Sequence, residues 1–329
     1  MSSDILVKLD DRVRLMSGLL AATRYPEVSQ QKKPHGTHAH ARATKKLVAP
    51  YVNHPAALAL QLLLDQNAPL EAIFSLALVL RPADFGIDKP PRWMPPAWND
   101  QLGDFQNATQ IAAWWAHEDA AWNKALTDTE TILNTMRLKA LFEPYVGEVK
   151  ERLVFIPNIC YPTDQEVSFR IGGDLVAIVP PRLAWGDSPP WPFAEDAGHL
   201  YRAAINAYGR LLMSAYLRAN PEKLTEVEKS PLPVTDAMKA AYPTWAEQFT
   251  ELFVKGAVAI YLEDHVNQAE ANAFVLMERK VSGLDKLPGV ISVLRRYLSE
   301  LEAGRYTNLL DFLPSFPRHL RVANRIVTL

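Results

Sequence analysis

The sequence predicts an α+β fold, mostly helical, with a small antiparallel sheet followed by a long helix. Three observations lead there. Apolar residues recur near 3.6-residue spacing through the early and late parts of the chain. The run RLVFIPNICY, starting at Arg152, is instead β-branched and aromatic, as a strand requires. In EVSFRI-GG-DLVAIV two alternating runs flank Gly172-Gly173, a two-residue hairpin signal.

Taken in order, DDRVRLMSGLLAATRY places Val13, Leu15, Met16, Leu19 and Leu20 on a helical face. HPAALALQLLLDQ and LEAIFSLALVL are too apolar for surface helices and read as buried ones. QQKKPHGTHAHARATKK, between the first two, is polar and breaker-rich; its His35, His38 and His40 are expected in a solvated loop that leads into a helix. FGIDKPPRWMPPAWND is a second loop, stiffened by four prolines. Helix resumes in TQIAAWWAHEDAAWNKAL and TETILNTMRLKALFEPY. After the sheet, Ser188 before Pro189 is the expected N-cap of a helix running to about Arg218, where ANPEK stops it. The stretch from Tyr242 to Lys280 reads as long helix, broken once, and GVISVLRRYLSELEAG and YTNLLDFLPSF close the chain. A helical part, 1–140, is thus followed by a sheet-and-helix part, 141–329, unless both share one continuous domain.

Composition narrows the function. Hydrophobic residues at 48% and charged ones at 22% are ordinary for a globular protein. A net charge of −2 creates no field for nucleic acid or anionic lipid, so neither partner is expected. The single cysteine, Cys160, excludes an internal disulfide and fits a reducing compartment; it is expected to be an inert buried thiol. MSSDILVKLDDRVRLM lacks the apolar centre of a signal peptide, and no run reaches membrane-span length. A soluble, cytoplasmic protein is expected. No G-x-S-x-G, P-loop or dinucleotide fingerprint occurs. Trp93, Trp98, Trp185 and Trp191 lie in proline-stiffened segments, where they either wall a cleft or cover the core.

The segment SPPWPFAEDAGHLYRAAINAYGRLL carries the candidate chemistry. Within one helix, Glu195 and His199 would share a face and Asp196 would sit about 100° further round. That is a metal site with unusual ligands, a site that has lost its metal, or an ordinary acidic helix start. A third ligand is available in Glu263, directly after the apolar run LFVKGAVAIYL, with His265 in reserve.

EDAGH at 195–199, EDHVNQA at 263–269 and YTNLLDF at 306–312, with the approach FEPYVGEVKERLVFIPNI, resemble in order the gluzincin class of zinc peptidases. The chain looks most like a family of uncharacterised zincin-fold metallopeptidases. The resemblance implies a zincin-like core in 141–329, with His199 and Glu263 as metal ligands and Tyr306 as the family aromatic. Glu195 stands where the first ligand His belongs, and Asp196 where the catalytic Glu belongs. A carboxylate can hold zinc at about 2.0–2.2 Å, so Glu195 does not forbid a metal, although harder oxygen ligands favour manganese or iron. Asp196 is one methylene short, and a misplaced base can cost on the order of 10²-fold. The expected protein is therefore a degenerate, catalytically impaired metallopeptidase-like chain whose cleft holds a peptide or protein. Its alternative is an active metal-dependent hydrolase with a Glu195–His199–Glu263 site. The expected cofactor is one divalent transition metal (zinc, manganese or iron) or none.

Overall fold

The computed structural model describes residues 3–32, 34–160, 166–184 and 186–327, with backbone only at 324–327. It is mostly helical with one small sheet, as expected. Trp185 lies outside the described residues. Contacts divide the chain into two units that interleave in sequence: 1–135 with 152–200, and 136–151 with 201–329. The sheet therefore belongs with the early helices, and the division does not fall at 140.

In the first unit four strands, β1 (Ile5–Val7), β2 (Arg152–Pro157), β3 (Val167–Ile171) and β4 (Asp174–Val179), lie in the order β1-β2-β4-β3. The hairpin is as predicted: β3 pairs antiparallel with β4, Ile171 facing Asp174 across Gly172-Gly173, and Gly172 adopts the positive φ the turn needs. The sheet as a whole is not antiparallel, which corrects the expectation. β2 runs parallel to both β4 and β1, with Ile5 paired to Leu153. The burial patterns explain this: β2 and β4 are buried without alternation, as central parallel strands are, while edge strand β3 alternates. The three-residue β1 offers too little pattern to be recognised from its own residues.

The helix Asp11–Ala21, capped by Asp10, packs against helices Ala39–Val48, Pro55–Asp65 and Leu70–Val79, and the last covers β3. Helix Asp119–Leu133 packs on β1 and β2. Trp98 is fully buried, donating its indole N–H to the Ala56 carbonyl, so it is core and not cleft wall. A second correction concerns the histidine tract: His35 and His40 are buried, not solvated.

In the second unit helix Trp245–His265 is buried along most of its length, between Gln268–Val281 and Leu287–Glu302. It starts on a capping box, Thr244 with Glu247, and the expected single break falls at Val266-Asn267. Gly256 lets the neighbouring helix approach: a Cβ there would lie 2.6 Å from Leu294 Cδ1. Helix Phe316–Val327 packs on Leu287–Glu302. Among the described residues no single helix is long and apolar enough to cross a membrane.

Candidate functional site

The helix expected to carry the motif begins at Ala197 and ends at Arg218. Ser188 is not its cap, because the prolines after it form an extended strap, and Phe193–Glu195 form a short 3₁₀ turn. Glu195 thus precedes the helix and is exposed. Asp196 does the capping: its Oδ1 accepts the His199 amide N–H at 2.8 Å, while Oδ2 pairs with the Arg182 guanidinium. His199 Nε2 donates to the Pro180 carbonyl at 2.9 Å, so that nitrogen holds its proton.

Glu263 belongs to the second unit, near the end of helix Trp245–His265. Arg295 Nη2 donates to Glu263 Oε2 at 2.9 Å and to Asp264 Oδ1 at 2.7 Å. His265 is exposed, with its ring 4.3 Å from that of Tyr261. Tyr306 meets Phe312 edge-on at 5.3 Å. Among the described residues no group of three or more His, Cys, Asp or Glu is gathered to hold a metal ion.

The first unit concentrates its polar chemistry at the carboxyl ends of β2 and β4, the edge where parallel sheets bring loops together. The tract 34–40 lies here. The Gly36 amide donates to the Gly186 carbonyl at 3.1 Å, and the backbones come so close that a Cβ on Gly36 would sit 1.8 Å from the Ser188 carbonyl oxygen. Gln30 clamps His35 with two hydrogen bonds: Nε2 donates to the His35 carbonyl at 2.9 Å and Oε1 accepts its amide at 3.0 Å. His38 caps helix Ala39–Val48, its Nδ1 accepting the His40 amide at 3.2 Å.

His40 is held from several sides. Trp122 donates its indole N–H to His40 Nε2 at 3.1 Å, which puts the imidazole proton on Nδ1, facing Glu118 Oε2 at 3.3 Å. The ring stacks on Trp114, whose indole N–H donates to Thr44. Burial pushes the His40 pKa down to about 4 against the pull of Glu118, so the ring is neutral near pH 7. Arg14 lies beside it with its guanidinium 4.5 Å from the Trp122 ring and 4.9 Å from that of Trp115, and donates to Asp11 at 3.0 Å. A buried chain continues to β2: Asn158 donates to Ser17, which donates to the Val13 carbonyl, and Asn158 Oδ1 accepts the Cys160 amide. Cys160 is buried as expected, and desolvation raises its thiol pKa to about 11.

No protein-family model, curated protein or solved structure matches this chain.

Beside the histidine tract lies a slot of about 160 Å³. One wall is Pro190, Trp191, Pro192 and Phe193, fastened by the Trp191 amide donating to the Arg182 carbonyl at 2.8 Å. Ile159 and Pro181, directly after the β2 and β4 ends, also line it. Lys124 and Asp128, paired at 2.7 Å, supply its charged groups, and His38 its imidazole. Because His38 Nδ1 accepts a backbone amide, its proton sits on Nε2, the atom it can offer to a ligand. Burial, followed by the nearby Arg42 charge, lowers the His38 pKa and so favours the neutral ring. Sequence reasoning missed this site. The signal was present in HGTHAH, with a capping-competent His38 ahead of an alanine-rich helix, and in the tryptophans of IAAWWAHEDAAW.

Proposed function

We propose that this chain is a binding protein for an extended peptide, with segment 195–199 serving as a helix start and not as a working metal site. The slot beside His38 carries this reading. Trp191, 44% exposed, stands between two prolines and presents a flat apolar face, the kind of surface that accepts a proline ring or aliphatic side chain of an extended peptide. The His38 Nε2 proton supplies a donor for a peptide carbonyl, and Lys124 with Asp128 supplies polar groups. The engagements of Asp196 with the His199 amide and Arg182, and of His199 with Pro180, support the non-catalytic role of 195–199. A metallopeptidase-like ancestry, implied by the family resemblance, is compatible with a binding cleft that has lost its reaction. We also read the protein as cytoplasmic, on the single unpaired Cys160.

Titration calorimetry with the acetylated, amidated peptide Pro-Pro-Leu-Pro-Pro tests it. Saturable micromolar binding is expected, weakened about tenfold or more in Trp191→Ala and in His38→Ala, since each removes one of the few groups that define the slot. Absence of binding would overturn the reading. So would a stoichiometric transition metal that survives chelator-free purification and disappears in His199→Ala.

A further inference from the structure

We propose that a second cavity, between helices Tyr25–Lys32 and Ala39–Val48, binds a small aliphatic carboxylate with its anionic head at Arg42. The cavity measures about 440 Å³, within the range of small-molecule pockets, about 300–1,000 Å³. It shares no lining residue with the slot beside His38. Its floor is apolar and uncharged: Ala21, Ala41 and Cys160 line it, and all three are buried. Desolvation keeps the Cys160 thiol protonated, with its pKa raised to about 11. Ala21 ends helix Asp11–Ala21 and Ala41 lies in the first turn of helix Ala39–Val48, so methyl groups stand where larger side chains would have filled the space. Helix Tyr25–Lys32 supplies the facing wall through Pro26 and Gln30, four apart on one side of it. Both ends of the Gln30 amide are taken by the His35 backbone, so this wall adds no free polar group there.

The charges gather at the rim. Arg42 and Lys45, three apart on helix Ala39–Val48, are both exposed and both line the cavity. Lys45 pairs with Glu27 of the facing helix, and their charges cancel. Arg42 donates from Nη1 to the Thr37 carbonyl, which fixes its guanidinium beside the opening, and it makes no ion pair among the described residues. One positive charge therefore stands uncompensated over an apolar floor. That combination selects a ligand with a single negative charge on a hydrocarbon body. The Nε and Nη2 groups of Arg42 match the two oxygens of a carboxylate, while the aliphatic chain leaves water against Ala21 and Ala41. A phosphate dianion brings a charge that nothing here balances and no hydrocarbon for the floor. An uncharged alcohol fills the floor but leaves the Arg42 charge unused.

Titration calorimetry of the full chain with sodium octanoate tests the site. Saturable binding with a Kd of about 0.1–1 mM is expected, with octanol and octylammonium at least about tenfold weaker. Arg42→Gln should weaken octanoate by about tenfold, and Ala41→Leu, which fills the cavity, by at least about as much. Glu27→Gln should tighten it about threefold, because Lys45 is then free for the anion, an outcome that adsorption to apolar surface would not produce. Arg42 and Glu27 are exposed, so these two variants keep the fold even where Ala41→Leu does not, which circular dichroism checks. In protein with isotope-labelled alanine methyl groups, octanoate should shift the signals of Ala21 and Ala41. Lack of saturable binding below the octanoate micelle concentration would overturn the proposal. So would octanol binding as tightly as octanoate, or octanoate affinity indifferent to Arg42→Gln.

Discussion

The Asp196 carboxylate caps the helix on which His199 rides, its Oδ1 2.8 Å from the His199 amide nitrogen. Asp196 therefore has a conformational task. Asp196→Ala should lower unfolding stability by about 1 kcal/mol in urea, the usual cost of an N-cap, with Asp196→Ser recovering part of it. A stability unchanged by Asp196→Ala would show that the cap contributes nothing to this helix.

The buried His40 makes stability depend on pH. Its folded pKa, about 4, lies below the ordinary value of 6.5, so between these pH values the unfolded chain binds the proton and the folded chain does not. Stability is thus fully present above about pH 6.5 and falls with acidification, by up to about 1.4 kcal/mol per pH unit, until pH reaches about 4. Urea midpoints measured from pH 7 to pH 4 should fall more steeply in the wild type than in His40→Gln. Parallel curves would remove His40 from this account.

Gly36 is needed for lack of a side chain, not for its torsion angles. A Cβ at that position would meet the Ser188 carbonyl oxygen at 1.8 Å, which is backbone and cannot swing aside. Gly36→Ala should destabilise by roughly 1–3 kcal/mol. It should also weaken binding at the slot, because the same segment carries His38. Unfolding measurements alongside the peptide titration check both effects.

Cys160 should resist thiol reagents. Its pKa of about 11 and its burial leave almost no accessible thiolate at pH 8. Labelling by a thiol-disulfide reagent should be negligible in the native protein and complete in denaturant. Rapid native labelling would mean that the end of β2 opens readily.

Much of the helical pattern was legible because helix periodicity repeats within one stretch of chain. The Gly172-Gly173 turn was legible for a similar reason, since the two strands it joins adjoin it. The start of helix Ala197–Arg218 was misread because Ser188-Pro189 is a good local cap signal, whereas the competing cap at Asp196 gains from Arg182, fourteen positions earlier. The histidine tract was misread because a polar, breaker-rich run normally faces water. Here Trp114, Trp122 and Glu118, more than seventy residues away, enclose His40 and satisfy its ring.

The amino-acid order by itself determined a mostly helical α+β chain with one tight hairpin and a single buried thiol, since each follows from neighbouring residues and their preferences. Only the tertiary structure decided that Ile5 joins Leu153 in a parallel pair, that His40 is buried and neutral, and that His38 shares a slot with Trp191. These depend on which distant segments meet, and pairing energies between remote groups leave no periodic mark in either segment alone.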